Sequence, residues 1–240
     1  MKLSFIFKKA WFWVIVGSVV YSLLLRWAYS DYIEQVKLDS LCKPGKMDSL
    51  KKRLEDNPEL IWMKFGLGDR DVALVHWVCR YHNLEGIQYL KTLDADFSQE
   101  TAFMGDTPLG ILSKFFYPNT LKTIHEVLES RFVGEEAILK PNRFGTTPIM
   151  LSVSYCQPRI LKEYLDILNR KGLKVDKDAL LQLAVGELSD NKDGCEMVAL
   201  LVAEGARPLE KNKDGKSPLD MAREGKKNHF VDIMTKNNGK

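Results

Sequence analysis

The sequence is short of most residues and motifs that carry chemistry. Its four histidines, His76, His82, His125 and His229, are scattered along the chain. His76 and His82 stand six apart, so they do not share a helical face and make a poor metal pair. The four cysteines contain no Cys-x-x-Cys, which excludes a zinc ribbon. No Gly-x-Ser-x-Gly occurs, so there is no nucleophile elbow. GLGDR at 66–70 has two glycines but opens no strand-to-helix phosphate cradle, and reads as a loop. MDSLKKRLED at 47–56 has the mixed charge of a solvated helix face. No catalytic residue, metal site, cofactor or small-molecule substrate is expected, and an enzyme is not expected.

Acidic residues are missing from positions 1–30, which hold Lys2, Lys8, Lys9 and Arg26. With those four set aside, 31 basic and 32 acidic residues remain, so the net charge of +3 belongs to the N-terminal segment. A nearly neutral body excludes nucleic acid as a partner, because that binding needs clustered Lys and Arg facing phosphates.

The same segment contains AWFWVIVGSVVYSLLL at 10–25, sixteen uncharged positions after a lysine-bearing start. A bilayer span needs about 20 apolar residues. The run is short for that and suits the apolar region of a signal peptide. Ala28-Tyr29-Ser30 offers a small-x-small cleavage pattern, whereas Arg26 and the flanking aromatics suit an uncleaved anchor at the membrane interface. Both readings stay open: residues 1–30 as signal peptide or signal anchor. Both put the lysines inside and the body outside the cytoplasm. No Leu-x-Gly/Ala-Cys follows the run, which excludes a lipoprotein anchor.

What the chain does have is the composition of a globular protein, 45% hydrophobic and 28% charged, and a repeat. GDTPL at 105–109 returns as GTTPI at 145–149 and GKSPL at 215–219. Each is followed by an apolar stretch of helical period: GILSKFF, MLSVSYC and DMAREG. Proline fits the first helical turn, where its missing N–H costs nothing. The Thr or Ser before it is a natural N-cap, and the Gly two positions earlier permits a tight turn. A second helical run follows, as in TLKTIHEVLES (120–130) and PRILKEYLDIL (158–168).

This arrangement resembles the ankyrin repeat. Weaker copies fall into the same register. Residues 73–96 place His76 on the ankyrin histidine, a helix-capping and turn-bonding position, and Asp94-Ala95-Asp96 where Gly-Ala-Asp is usual. Residues 36–58 form a degenerate first unit, and 179–185 with 197–207 a fifth. The Thr-equivalent positions are 36, 73, 107, 147, 179 and 217, scattered around the ~33-residue period of that family. The resemblance implies an all-α ankyrin-repeat solenoid of five to six helix pairs over 31–240, preceded by a hydrophobic signal or anchor helix. Its units fall near 33–65, 70–99, 104–138, 144–176, 177–210 and 214–236. EGKKNHFVDIMTKNNGK, 224–240, has the polarity of a capping end. Cys42 and Cys79 share a position in adjacent units, about 8–10 Å apart, beyond the ~7 Å Cα separation a disulfide bridges. Both read as small buried residues, while a bond between Cys156 and Cys195 stays open.

The family binds partners on its concave side, through the turn before Thr-Pro and the end of the first helix. Carried over, the turns supply Arg70 and Val72, then Phe103, Met104 and Asp106, then Arg143, Phe144 and Thr146. The helix ends supply Arg80 and Tyr81, Lys114 and Phe115, Ser154 and Tyr155. Aromatics beside Arg and Lys have the composition of interface hot spots. The alternative is that the rings fold back into gaps between degenerate units. Trp77, Ile111, Leu151, Leu183 and Met221 share another position and are expected in the core. Small signal-bearing ankyrin proteins look like immunity partners of secreted antibacterial toxins, including lipases and phospholipases delivered by type VI secretion. The implied partner is a protein encoded by the neighbouring gene. The implied place is the bacterial inner membrane facing the periplasm, or the periplasm after cleavage near Ser30. The alternative function is a periplasmic scaffold or chaperone for an envelope enzyme, for example in oxidative-stress defence.

Overall fold

The structure, a computed structural model, describes residues 18–22, 32–65 and 72–236. Most of the N-terminal apolar run, Ser30, the GLGDR loop and Arg70 lie outside those residues. Residues 18–22 are helical, and among the described residues no helix is long and apolar enough to cross a membrane.

Six helix pairs follow one another: α1 (32–41) with α2 (Met47–Asp56), α3 (Leu74–Arg80) with α4 (Leu84–Thr92), and α5 (Pro108–Leu112) with α6 (Thr120–Leu128). Then come α7 (Pro148–Ser154) with α8 (Pro158–Lys171), α9 (Lys177–Glu187) with α10 (Lys192–Ala203), and α11 (Pro218–Glu224) with α12 (Asn228–Lys236). The only described strands are β1 (Lys64–Phe65) and β2 (Val72–Ala73), an antiparallel pair leading into α3. First helices stack in the order α3, α5, α7, α9, α11, and second helices in the order α4, α6, α8, α10, α12. A single apolar core runs through the stack from Leu38 to Met234. No pair could enclose its own apolar stripe, so each borrows its neighbours as interior.

The Thr-Pro signal sets the helix starts as its chemistry requires. Thr107 Oγ1 accepts from Gly110 N–H (3.2 Å), Thr147 Oγ1 from Met150 N–H (3.3 Å) and Ser217 Oγ from Asp220 N–H (3.1 Å). Each satisfies an otherwise orphaned donor of the first turn. Gly105, Gly145 and Gly215 take φ of +69°, +77° and +76°, the left-handed geometry of the preceding turn. His76 accepts from Ala73 N–H at Nδ1 (3.0 Å) and faces the Gln99 carbonyl with Nε2 (3.1 Å), the capping role the resemblance implied.

Units without Thr-Pro start differently. Residue 36 lies inside α1, and α9 begins two residues before residue 179, capped by Asp176, whose Oδ1 accepts from Ala179 N–H (2.9 Å). With no proline to fix the first turn, the helix extends backwards. The packing register nevertheless holds: Leu180, Leu181, Ala184 and Val185 are buried as Pro148, Ile149, Ser152 and Val153 are.

Neighbouring units are also stitched by polar groups. Buried Asn83 accepts from Gly86 N–H with Oδ1 (3.0 Å), capping α4, and donates from Nδ2 to the Cys42 carbonyl of the preceding unit (2.9 Å). All four cysteines are free. Cys42 and Cys79 are buried, and burial pushes both thiols up, as small apolar core residues require.

In three units the turn joining the two helices carries a non-glycine residue in the left-handed region: His82 (φ +48°), Cys156 (+53°) and Lys226 (+54°). An L-residue in this region costs about 1–2 kcal/mol, which glycine avoids at a smaller entropic cost of its own. Lys226 is exposed. Lys226→Gly is therefore expected to stabilise the protein by about 0.5–1 kcal/mol in urea denaturation. A variant less stable than the parent would show that the lysine side chain contributes more than its backbone strain costs.

Candidate concave binding site

The turns that precede α5 and α7 lie side by side and are built from the same parts. Thr101 Oγ1 accepts from Asp106 N–H in the first (3.0 Å), and Asn142 Oδ1 accepts from Phe144 and Thr146 N–H in the second (both 3.0 Å). Arg143 N–H donates to the Met104 carbonyl (3.1 Å), and the Arg143 guanidinium donates to the Ala102 carbonyl. This seam needs Gly105, since a Cβ there would stand 2.7 Å from Arg143 Cγ. It also brings Phe103 and Phe144 into a tilted pair with centroids 6.0 Å apart.

A second pair forms at the ends of the first helices. Phe115 meets Tyr155 edge-on at 5.7 Å, with the Lys114 ammonium 5.7 Å from the Tyr155 ring. Edge-on and tilted aromatic pairs at these separations are favourable arrangements of ring quadrupoles. All four rings are largely in solvent: Phe103 56%, Phe115 50%, Phe144 62% and Tyr155 43% exposed. Of the two readings the sequence left open, these rings follow the surface one. Between them and unit two lies a groove of about 340 Å³ lined by Val72, Arg80, Thr101, Phe103, Met104, Asp106, Ile111, Lys114 and Phe115.

Two residues expected to present themselves to a partner are used internally. Asp106 is only 4% exposed. Its Oδ2 accepts from Lys114 Nζ (2.8 Å) and its Oδ1 from Asn142 Nδ2 (2.7 Å), so it ties one turn to the next helix and to the next turn. Tyr81 is half-buried against the core and donates from its hydroxyl to Asp39 Oδ2 (2.8 Å) on α1. Burial, reinforced by that carboxylate, pushes the Tyr81 phenol up to about 12. Tyr81 thus departs from Phe115 and Tyr155, which share its repeat position, because unit one offers it an acceptor. Met104 (38% exposed), Arg80 and Arg143 are exposed, and Ser154 and Thr146 are half-buried.

The residues expected in the core divide as well. Trp77 and Leu151 are buried, whereas Ile111, Leu183 and Met221 are half-buried. Ile111 and Thr101 line the groove without having been expected to. Ile111 shares its repeat position with buried Trp77 and Leu151, and no signal in the sequence separates it from them. Among the described residues no group of three or more His, Cys, Asp or Glu side chains could hold a metal ion.

No protein-family model matches the sequence, and no curated protein matches it. Solved structures share its architecture. An ankyrin-repeat domain from Acinetobacter baumannii AYE is similar over 86% of this chain and 100% of its own, with a TM-score of 0.62 at 17% identity. EF0377, an ankyrin-repeat protein, is similar over 83% of this chain and 95% of its own, with a TM-score of 0.60 at 15% identity. A chain from the complex of the predatory endopeptidase Bd0816 from Bdellovibrio bacteriovorus with immunity protein Bd3460 covers 83% of this chain and 96% of its own. Its TM-score is 0.57 at 16% identity. At such identities the likeness concerns the path of the backbone, and it agrees with the stacked pairs and capped turns above: this protein has the ankyrin-repeat fold.

Proposed function

We propose that this protein binds another protein through its concave groove without catalysing a reaction, and that it serves as an immunity protein neutralising a secreted antibacterial toxin at the bacterial envelope. The observation that carries the binding is the pair of exposed aromatic contacts, Phe103 with Phe144 and Phe115 with Tyr155, edging a groove. Large rings held in place by their neighbours lose little freedom when covered, which is why such residues dominate interface energies. The toxin reading is supported by the likeness to a chain from an endopeptidase–immunity protein complex. The charge and apolar run of residues 1–30 support placement at the inner membrane facing the periplasm, or in the periplasm after cleavage near Ser30.

Cells producing the toxin encoded beside this gene are expected to survive with the natural protein. They are expected to die with a variant in which Phe103, Phe115, Phe144 and Tyr155 are all alanine. Affinity should fall at least about tenfold for each pair removed, while thermal stability, measured alongside, changes little. Unchanged survival on deleting this gene sinks the immunity role and favours the periplasmic scaffold or chaperone.

A further inference from the structure

We propose that the groove receives an extended segment of its partner in which an aspartate or glutamate adjoins an aromatic or large aliphatic side chain. This deepens the protein-binding reading above and rests on it. The inference comes from an imbalance of charge in an apolar setting. Among the lining residues the only carboxylate is Asp106, and it is buried with both oxygens occupied by Lys114 and Asn142. The Lys114 charge is thereby cancelled, and a cationic segment finds no open carboxylate in the lining.

Two arginines keep their charge. Arg80, on the wall from unit two, and Arg143, in the turn leading to unit four, are exposed and belong to no ion pair among the described residues. Arg143 donates to the Ala102 carbonyl, a neutral acceptor that holds the side chain along the turn and leaves its charge uncompensated. On the second helices several lysines are paired instead: Lys51 meets Glu85, Lys91 meets Glu126, and Lys162 meets Asp166 and Glu204. Guanidinium groups beside exposed rings suit a carboxylate, which they can bind through two parallel hydrogen bonds at little desolvation cost. Val72, Ile111, Met104 and Phe115 supply the apolar surface for the adjoining side chain.

Short random peptides displayed on phage and selected against the full-length chain in detergent test this. Winning peptides are expected to carry Asp or Glu next to Phe, Trp or Leu. In fluorescence polarisation their affinity should fall at least about tenfold for the Arg80→Gln/Arg143→Gln variant and weaken as salt is raised. Arg159→Gln, on the first turn of α8 and stacked over Phe116, should leave binding within about twofold of the parent. Winners that are neutral or basic, or whose binding ignores both arginines, overturn the proposal. If that same binding is lost on Phe115→Ala, the groove still binds protein and only the acidic preference falls. If no peptide is enriched, or neither change affects binding, the proposal and the groove-binding reading fail together.

Discussion

Acidification from pH 7 to pH 5 is expected to cost this fold about 2 kcal/mol for each of two histidines, His76 and His82. Both rings are buried, and burial lowers both to about 4 from the ordinary 6.5. The sign follows from which state binds the proton. Below pH 6.5 the unfolded chain protonates its histidines and the folded chain does not, so stability is lost as pH falls from 6.5 towards 4. The structural reason differs at the two sites. His76 Nδ1 accepts the Ala73 N–H, and a protonated ring cannot accept, so the start of α3 would lose its cap. His82 Nδ1 pairs with Thr120 Oγ1 (2.8 Å), while Nε2 is buried with no hydrogen-bond partner among the described residues. A second charge-bearing N–H there has nowhere to go. Carboxylates held low by their partners, such as Glu126 between Gln88 and Lys91, lose their contribution only below about pH 4.5. Urea denaturation at pH 7, 6 and 5 therefore isolates the histidines. A midpoint that does not move, or a His82→Gly variant with the full pH dependence of the parent, contradicts this account.

Tyr164→Ala should be the most damaging single truncation, by about 3–5 kcal/mol. Tyr164 sits on α8, fully buried, and is the largest of the fully buried side chains among the described residues. Its hydroxyl meets Ser113 Oγ of the preceding unit (2.8 Å), which itself donates to the Leu109 carbonyl (2.8 Å). The tyrosine is therefore the donor, and burial pushes its phenol well above the usual range. Truncation removes a ring shared by two units and leaves the Ser113 oxygen without that donor. Tyr164→Phe separates the contributions, since it keeps the ring and should cost about 1–2 kcal/mol. In a stack where each unit is core for the next, a loss here weakens both halves. Equal urea midpoints for Tyr164→Ala and Tyr164→Phe would show that the ring is not shared interior.

Much of the architecture was legible because it is written locally. Thr107, Thr147 and Ser217 cap helices through their own side chains, each followed by a proline suited to the first turn. The His76 cap spans three residues and could be read from the resemblance. Where that local signal is missing, at residues 36 and 179, the helix start was not legible; at 179 the packing register was still right, because burial of the apolar stripe survives the loss of a cap.

The site was legible as a list of positions and less so as a surface. Asp106, Lys114, Phe115 and Tyr155 were all expected to face a partner. In the fold Asp106 is spent on holding two turns together, and Tyr81 bonds to Asp39 forty-two residues away. Such pairings depend on which residue a neighbouring unit happens to offer, and spacing within one unit carries no record of that.

The sequence alone determined the repeat, the helix starts at Thr-Pro and the absence of any catalytic motif, since caps, turns and apolar periodicity act over a few residues. Tertiary structure decided which aromatics reach solvent and which charges around the groove are cancelled. Those outcomes depend on how close neighbouring units stand, and that distance exists only once the stack is assembled.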